Sequence, residues 1–345
     1  MARSRISIIG TGLIGSSIGL GLAARKDREY EIVGVDRDGG HAKEAKKMGA
    51  VDKTVGSLQE AIEGAGLVVL AVPVQAGRRI MEEGAKYFEA GAVVTDVGST
   101  KADVLKWAAE YLPETVHFIG GHPMAGKEKS GPGEASADLF KGATWAITPS
   151  PRASEGAVST IIGLIDVLGA RPLYIDAAEH DTYAAAVSHV PILLSVALFR
   201  MVRDSKGWED VGQMAGPAFR DLTRLASGDP TMSRDIMATN REAVLHWVSR
   251  FQDELDTIRV ALQEGGQIVT DLFASTRLDR EVFLEHPPER LPAAGPETPS
   301  AQDTMARLFV GGLYDKMKEA QQRASAPRPG TDNELRKKLG IRDDE

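Results

Sequence analysis

No cysteine occurs among the 345 residues. Disulfides, thiolate metal sites and a thiol nucleophile are therefore excluded, and a reducing cytoplasmic setting is expected. Basic runs are missing too: 41 Lys and Arg stand against 49 Asp and Glu, a formal net charge of -8. Such a chain is not expected to bind nucleic acid or an anionic membrane surface. No apolar run reads as long enough to span a bilayer. The opening "MARSRISIIGTG" enters an apparent strand at once and leaves no room for a signal peptide. Histidine is scarce, with seven copies, and no metal site is expected.

What is present is ordinary for a globular protein, 42% hydrophobic and 26% charged, at a length that accommodates two domains. In the first half, nearly continuous apolar runs at 5–10, 31–36, 67–73, 92–97 and 117–121 read as parallel strands covered on both faces. Helix-compatible stretches at 13–25, 40–48, 75–89 and 101–111 separate them. Two further strands, 142–149 and 171–176, flank a helical run at 153–168. This βαβ rhythm predicts an α/β fold, a Rossmann doubly wound parallel sheet over residues 1–176.

From residue 177 to 286 helical spacing takes over, and an all-α domain is expected. The run 183–202 is apolar nearly all round and reads as a buried helix, of a kind often found at subunit interfaces. Val244, Val248, Phe251, Leu255, Ile258 and Leu262 share one helix face. A homodimer is the default expectation. Residues 287–345 read as a Pro-rich linker, one amphipathic helix carrying Met305, Phe309, Leu313 and Met317, and a charged disordered tail.

"IIGTGLIGSS" supplies Gly10, Gly12 and Gly15 in a G-x-G-x-x-G pattern. Its context gives it weight, because it leaves a predicted strand and opens a predicted helix. Gly10 makes the tight turn, Gly12 admits the pyrophosphate, and Gly15 allows close helix–strand packing. Asp36, at the end of the second strand, suits the adenosine ribose hydroxyls and favours NAD over NADP, with neighbouring Arg37 as the feature that offsets this. Leu13 and Ile14, between the glycines, and Val72 and Pro73, at the end of the third strand, complete the cofactor-binding set.

A Rossmann fold does not choose a reaction. Ser99, in "TDVGSTK", falls past the fourth strand, where it suits either a helix N-cap or a site. His122, in "FIGGHPMAGKEKSG", falls just past the fifth strand on the same sheet edge, where a nicotinamide ring is expected. His189 precedes Pro191 inside the apolar helix, and Pro191 should kink that helix. A kink of this kind aims a side chain into a cleft; a core histidine is the alternative. His180, in "AEHD", reads as structural, and His41, His117, His246 and His286 suggest no function.

"GGHPMAGKEKSG", with "DVGSTK", "AEHD", "SHVP" and "FRDLTRLASGDPTMSRDI", resembles the prephenate/arogenate dehydrogenase family of tyrosine biosynthesis over about residues 5–280. The resemblance implies a Rossmann domain followed by a helical dimerisation domain, with NAD as cofactor. It implies oxidative decarboxylation of prephenate to 4-hydroxyphenylpyruvate, or of arogenate directly to tyrosine. His122 is then the base, with Ser99 orienting its imidazole near the substrate hydroxyl. Arg224 pairs with a substrate carboxylate, and Arg220, Asp221 and Glu128 match a gating ion-pair network. Many members read S-H-x-P-H where this chain has Ile192 for the second histidine, which leaves the choice between prephenate and arogenate open. Two other classes share some of these features. A β-hydroxyacid dehydrogenase or imine reductase needs a lysine within the long interdomain helix, where none occurs. An NAD-sensing interaction protein has no use for a base.

Overall fold

A computed structural model describes residues 4–127 and 129–288; Glu128 and the amphipathic helix expected after the Pro-rich linker lie outside the described residues. The apolar runs form eight strands: β1 (Ser4–Ile9), β2 (Tyr30–Val35), β3 (Lys53–Thr54), β4 (Ala65–Leu70), β5 (Val93–Asp96), β6 (His117–Pro123), β7 (Thr144–Pro149) and β8 (Arg171–Tyr174). They make one sheet in the order β3-β2-β1-β4-β5-β6-β7-β8. The order reverses between β1 and β4, and open α/β sheets bind ligands at such a point, beyond the carboxyl ends of the strands. Helices α1 (Leu13–Ala23), α2 (Gly39–Lys47), α3 (Leu58–Ile62), α4 (Val74–Gly84), α5 (Ala102–Tyr111) and α6 (Glu155–Val167) cover the faces. Burial on both faces explains the unbroken apolar runs: Ile8, Ile32, Val68, Val69, Val94, Ile119 and Ile147 are all fully buried.

Two expectations are corrected. The sheet is not wholly parallel, because β7 runs antiparallel to β6, pairing His122 with Ala146. The connection from β6 to β7 does not cross a face of the sheet; it packs its turn at Pro132–Glu134 on α1 and α2, and the Ser136 amide donates to Ser17 Oγ at 3.1 Å. A strand entered this way returns antiparallel. His122 accordingly lies within β6, one residue before its end, rather than beyond it.

The remaining chain is helical: α7 (Ala177–Ala184), α8 (Val190–Arg203), α9 (Trp208–Gln213), α10 (Pro217–Thr223), α11 (Pro230–Thr239), α12 (Arg241–Glu264) and α13 (Gln267–Glu285). A widened π turn, Ala185–His189, joins α7 to α8. Pro191 has no N–H to give Val187, so it sits in the first turn of α8 and the turn before it widens. The resulting helix, Ala177–Arg203, is long and apolar enough by length and composition to cross a membrane, contrary to the sequence expectation. Its polar residues are tied to the rest of this fold: Ser195 Oγ donates to the Leu222 carbonyl at 2.6 Å, and Asp181 binds the start of α5. Nor do the described residues bury the helix on all sides. Ala184, Ala185, His189, Val190 and Ser195 are buried, but Tyr183, Val187, Phe199 and Met201 are exposed. Likewise on α12, Val244 is buried, while Leu255 and Leu262 remain exposed.

Beneath β6, Lys101 and Asp96 form an ion pair inside the fold, with the lysine fully buried. Asp96 also accepts from the Gly98 amide at 2.8 Å and the Gly121 amide at 3.2 Å. Removing one partner of such a pair leaves a buried charge and costs about 3–5 kcal/mol. Asp96→Asn should lower unfolding free energy by about that amount, measured by urea denaturation.

Candidate active site

β1 delivers its chain into a turn that only glycine can make. Gly10 has φ of +95°, and a Cβ there would overlap the Ala71 carbonyl oxygen. A Cβ on Gly15 would overlap the Gly10 carbonyl oxygen, so the strand and α1 can approach only without it. Gly12 meets nothing within 4 Å, which leaves open space above the N-terminus of α1, where no side chain caps the amides. Leu13 and Ile14 follow, half-buried, in its first turn. Asp36 lies just past β2 and accepts from the Thr11 amide at 2.7 Å and the Asp38 amide at 2.8 Å. Its carboxylate therefore stands fixed beside the glycine turn, and Arg37 next to it is exposed. Val72 packs within reach of that turn, and Pro73 provides the cap position of α4. An open anion-accepting helix terminus flanked by a fixed carboxylate fits the pyrophosphate and ribose of a dinucleotide.

Further along the same sheet edge, His122 is 7% exposed at the end of β6. Its Nδ1 lies 2.9 Å from Nε2 of His180, with the rings edge to face. His180 Nδ1 in turn lies 2.8 Å from Asp181 Oδ1. Asp181 also accepts the backbone amides of Lys101 at 2.7 Å and Ala102 at 2.9 Å, so it caps α5 from across the fold. His189 is fully buried nearby, its Nδ1 3.0 Å from Asn240 Nδ2, an amide that also donates to the Asp181 carbonyl at 2.7 Å. His189 also lies against the Ser99 backbone, which favours its charged form.

Burial pushes the His122 imidazole well below its usual 6.5, and His180, Lys101 and His189 beside it add to that. Burial likewise lowers His189 to about 4, against the pull of Asp181. Both rings are therefore neutral near pH 7, and a neutral buried imidazole is a proton acceptor. Lys101 is pulled down by burial and held up by Asp96.

This site joins residues far apart in the chain. Residues 20–174 match a model described as prephenate dehydrogenase, nucleotide-binding domain, and 176–274 match prephenate dehydrogenase, dimerization domain. The prephenate dehydrogenase of Bacillus subtilis is 33% identical over 265 residues, 76% of this chain and 71% of the relative. That of Lactococcus lactis is 34% identical over 286 residues, 82% of this chain and 78% of the relative. The chain belongs to the prephenate dehydrogenase family. Among solved structures, Aquifex aeolicus prephenate dehydrogenase in complex with hydroxyphenyl propionate and NAD+ aligns with a TM-score of 0.75 and 26% identity, covering 81% of this chain and 98% of that one.

Not every residue expected of a prephenate dehydrogenase site converges equally. His122, His189 and the loop bearing Ser99 meet at one edge, but what orients the His122 ring is His180, not Ser99. Nor is Ser99 an N-cap: α5 begins at Ala102, and Asp181 supplies the capping oxygens. His180, read from sequence as structural, touches His122 directly; the adjacent His-Asp pair in "AEHD" was the available signal. Arg220 and Arg224 sit exposed on α10 and the turn after it, four residues apart. Two further residues had no sequence signal. Asp235 caps α4 by accepting the Gln75 amide at 3.2 Å, and Thr239 Oγ1 meets Thr100 Oγ1 at 2.9 Å.

The two buried imidazoles make stability depend on pH. Their folded values lie below the unfolded value of about 6.5, so the unfolded chain takes up protons first as pH falls. Stability should be full above about 6.5 and decline below it, continuing for His189 to about 4. Urea denaturation from pH 7.5 to 4.5 should register this loss. In His189→Gln it should be smaller by about 2–3 kcal/mol.

Proposed function

We propose that the chain catalyses NAD-dependent oxidative decarboxylation of prephenate to 4-hydroxyphenylpyruvate, a step of tyrosine biosynthesis. What carries this reading is one sheet edge that holds both an open dinucleotide cradle and a buried, neutral histidine. NAD+ bound in the cradle supplies the acceptor for the hydride that leaves C4 of the substrate. Nε2 of His122 takes the C4 hydroxyl proton as that C–H pair departs. The C1–carboxylate bond then breaks, CO₂ leaves, and its electron pair completes the aromatic ring. The oxygen regains its proton in the phenol product, so the imidazole ends the cycle neutral, as its burial favours. Ser99 lies in the loop before α5 and is assigned a hydrogen bond to the hydroxyl region.

Prephenate carries two carboxylates, and arginine offers the bidentate geometry that suits them. Arg224 is the proposed partner, with Arg220 and Glu128 in a gating ion-pair network and His189 lining the pocket. Arogenate is the second reading, favoured by Ile192, a half-buried apolar residue where many relatives carry a histidine. The proposed compartment is the cytoplasm. The proposed assembly is a homodimer whose partner covers Val187, Met201, Leu255 and Leu262, all exposed in the single chain. Domain limits of 1–176, 177–286 and 287–345 remain the proposed division.

NADH formation at 340 nm with prephenate and with arogenate at equal concentration tests the activity. Turnover of prephenate is expected; turnover of neither would overturn the reading, and arogenate alone would assign Ile192 to substrate choice. His122→Asn should retain NAD+ binding and lower kcat by roughly 10²–10⁴. Sedimentation velocity should give a species of twice the chain mass, and Leu262→Glu should shift it toward the monomer.

A further inference from the structure

His122 can act as a base at Nε2 only if its other nitrogen carries the proton. An imidazole in water exchanges freely between its two neutral tautomers, so something must hold one of them. Asp181 is where the choice begins. As a carboxylate it only accepts, and it already takes the amides of Lys101 and Ala102. The 2.8 Å contact with His180 Nδ1 therefore needs a proton on that nitrogen. A neutral His180 then has its lone pair on Nε2, which can only accept from His122 Nδ1 at 2.9 Å. The lone pair of His122 is left on Nε2. Among the described residues no group hydrogen-bonds to that atom.

We propose that His180 and Asp181 are positioning residues that lock His122 as its Nδ1–H tautomer and stabilise the imidazolium formed when Nε2 takes a proton. This rests on His122 being the base of the proposed reaction. The stabilisation works through charge. Protonated His122 donates to His180 Nε2, and the negative end of the chain, Asp181, lies one imidazole away. His180, Lys101 and His189 all disfavour the charged form of the ring, and Asp96 holds the lysine charge. The Asp181 carboxylate, through its contact with His180, is the charge that opposes this disfavour. The two residues also come from a single helix turn, fixed at the cap position of α5, so the relay exists only where α7 is docked on the sheet edge.

The test begins with the intact wild-type protein, its seven histidines labelled with ¹⁵N. The His122 signals are assigned by their loss in His122→Asn. A protonated Nδ1 and an unprotonated Nε2 at pH 7 are expected. An Nε2–H tautomer would overturn the proposal, because His180 would then be the donor and His122 no base. This readout needs neither turnover nor a folded relay variant. Kinetics supply the second arm. His180→Leu removes the acceptor and should lower kcat about 10²-fold, with KM and NAD+ affinity within about threefold. The acid limb of its pH profile should also move. In His180→Gln the side-chain oxygen stands near the position of Nε2, and about tenfold of the loss should return. Unchanged kcat and pH profile in His180→Leu would equally overturn the relay. Wild-type protein that turns over neither substrate would instead remove the reading of His122 as base, whatever its tautomer.

Discussion

The carboxylate of Asp181 is the constraint on which the rest of the site depends. It accepts three N–H groups: two backbone amides at the start of α5 and Nδ1 of His180. The first pair ties the helical region to the sheet edge, and the third begins the chain of contacts that ends at His122. A buried carboxylate is costly unless its lone pairs are filled, and here donors from two distant segments fill them. The same oxygen atoms therefore serve packing and chemistry. Loss of this residue would leave the first amides of α5 without acceptors and His180 without a fixed tautomer.

The glycines that precede His122 follow from what lies beneath them. The Asp96 backbone, the Lys101 stem and the β7 side chains of Trp145 and Thr148 occupy the space where side chains of β6 would otherwise go. A Cβ on Gly121 would stand 2.6 Å from the Asp96 carbonyl oxygen and 2.8 Å from Trp145 Nε1. One on Gly120 would overlap Thr148 Oγ1 and reach Lys101 Cδ at 3.0 Å. The strand is thus bare where it crosses the ion pair and bears its histidine immediately after. Lys101 in turn helps keep that histidine neutral, so the bare strand and the neutrality of the ring share one neighbour.

Legibility from the sequence divides along contact distance. The cofactor cradle was readable because its parts are local: the glycine turn, the helix start and Asp36 all fall within one βαβ unit. Strands and helices of the sheet were readable for the same reason, since burial on both faces writes itself as apolar runs. The reversed direction of β7 was not readable, because it depends on where a loop packs rather than on strand composition. Strand β3, two residues long, is too short to carry a pattern. His180 was set aside because its partner lies 58 residues away, a relation that no spacing rule expresses. The apolar helix at 183–202 was read correctly as apolar, but the described helices leave Tyr183, Val187, Phe199 and Met201 exposed.

The surroundings of His122 come from both regions of the chain. The sheet contributes the imidazole, yet the groups that set its tautomer and charge come from α7, and those that lower its affinity for protons include His189 from the π turn. Pro191 forces that turn, and the turn places His189 fully inside the fold against Asn240. Asn240 follows α11, whose Asp235 and Thr239 grip α4 and the loop of Thr100. The contacts that dock the helical region are therefore the contacts that tune the histidine. A Rossmann domain alone would hold the dinucleotide and present His122 to solvent as an ordinary imidazole. Docked helices convert it into a buried, neutral imidazole, and its properties belong to the junction rather than to either part.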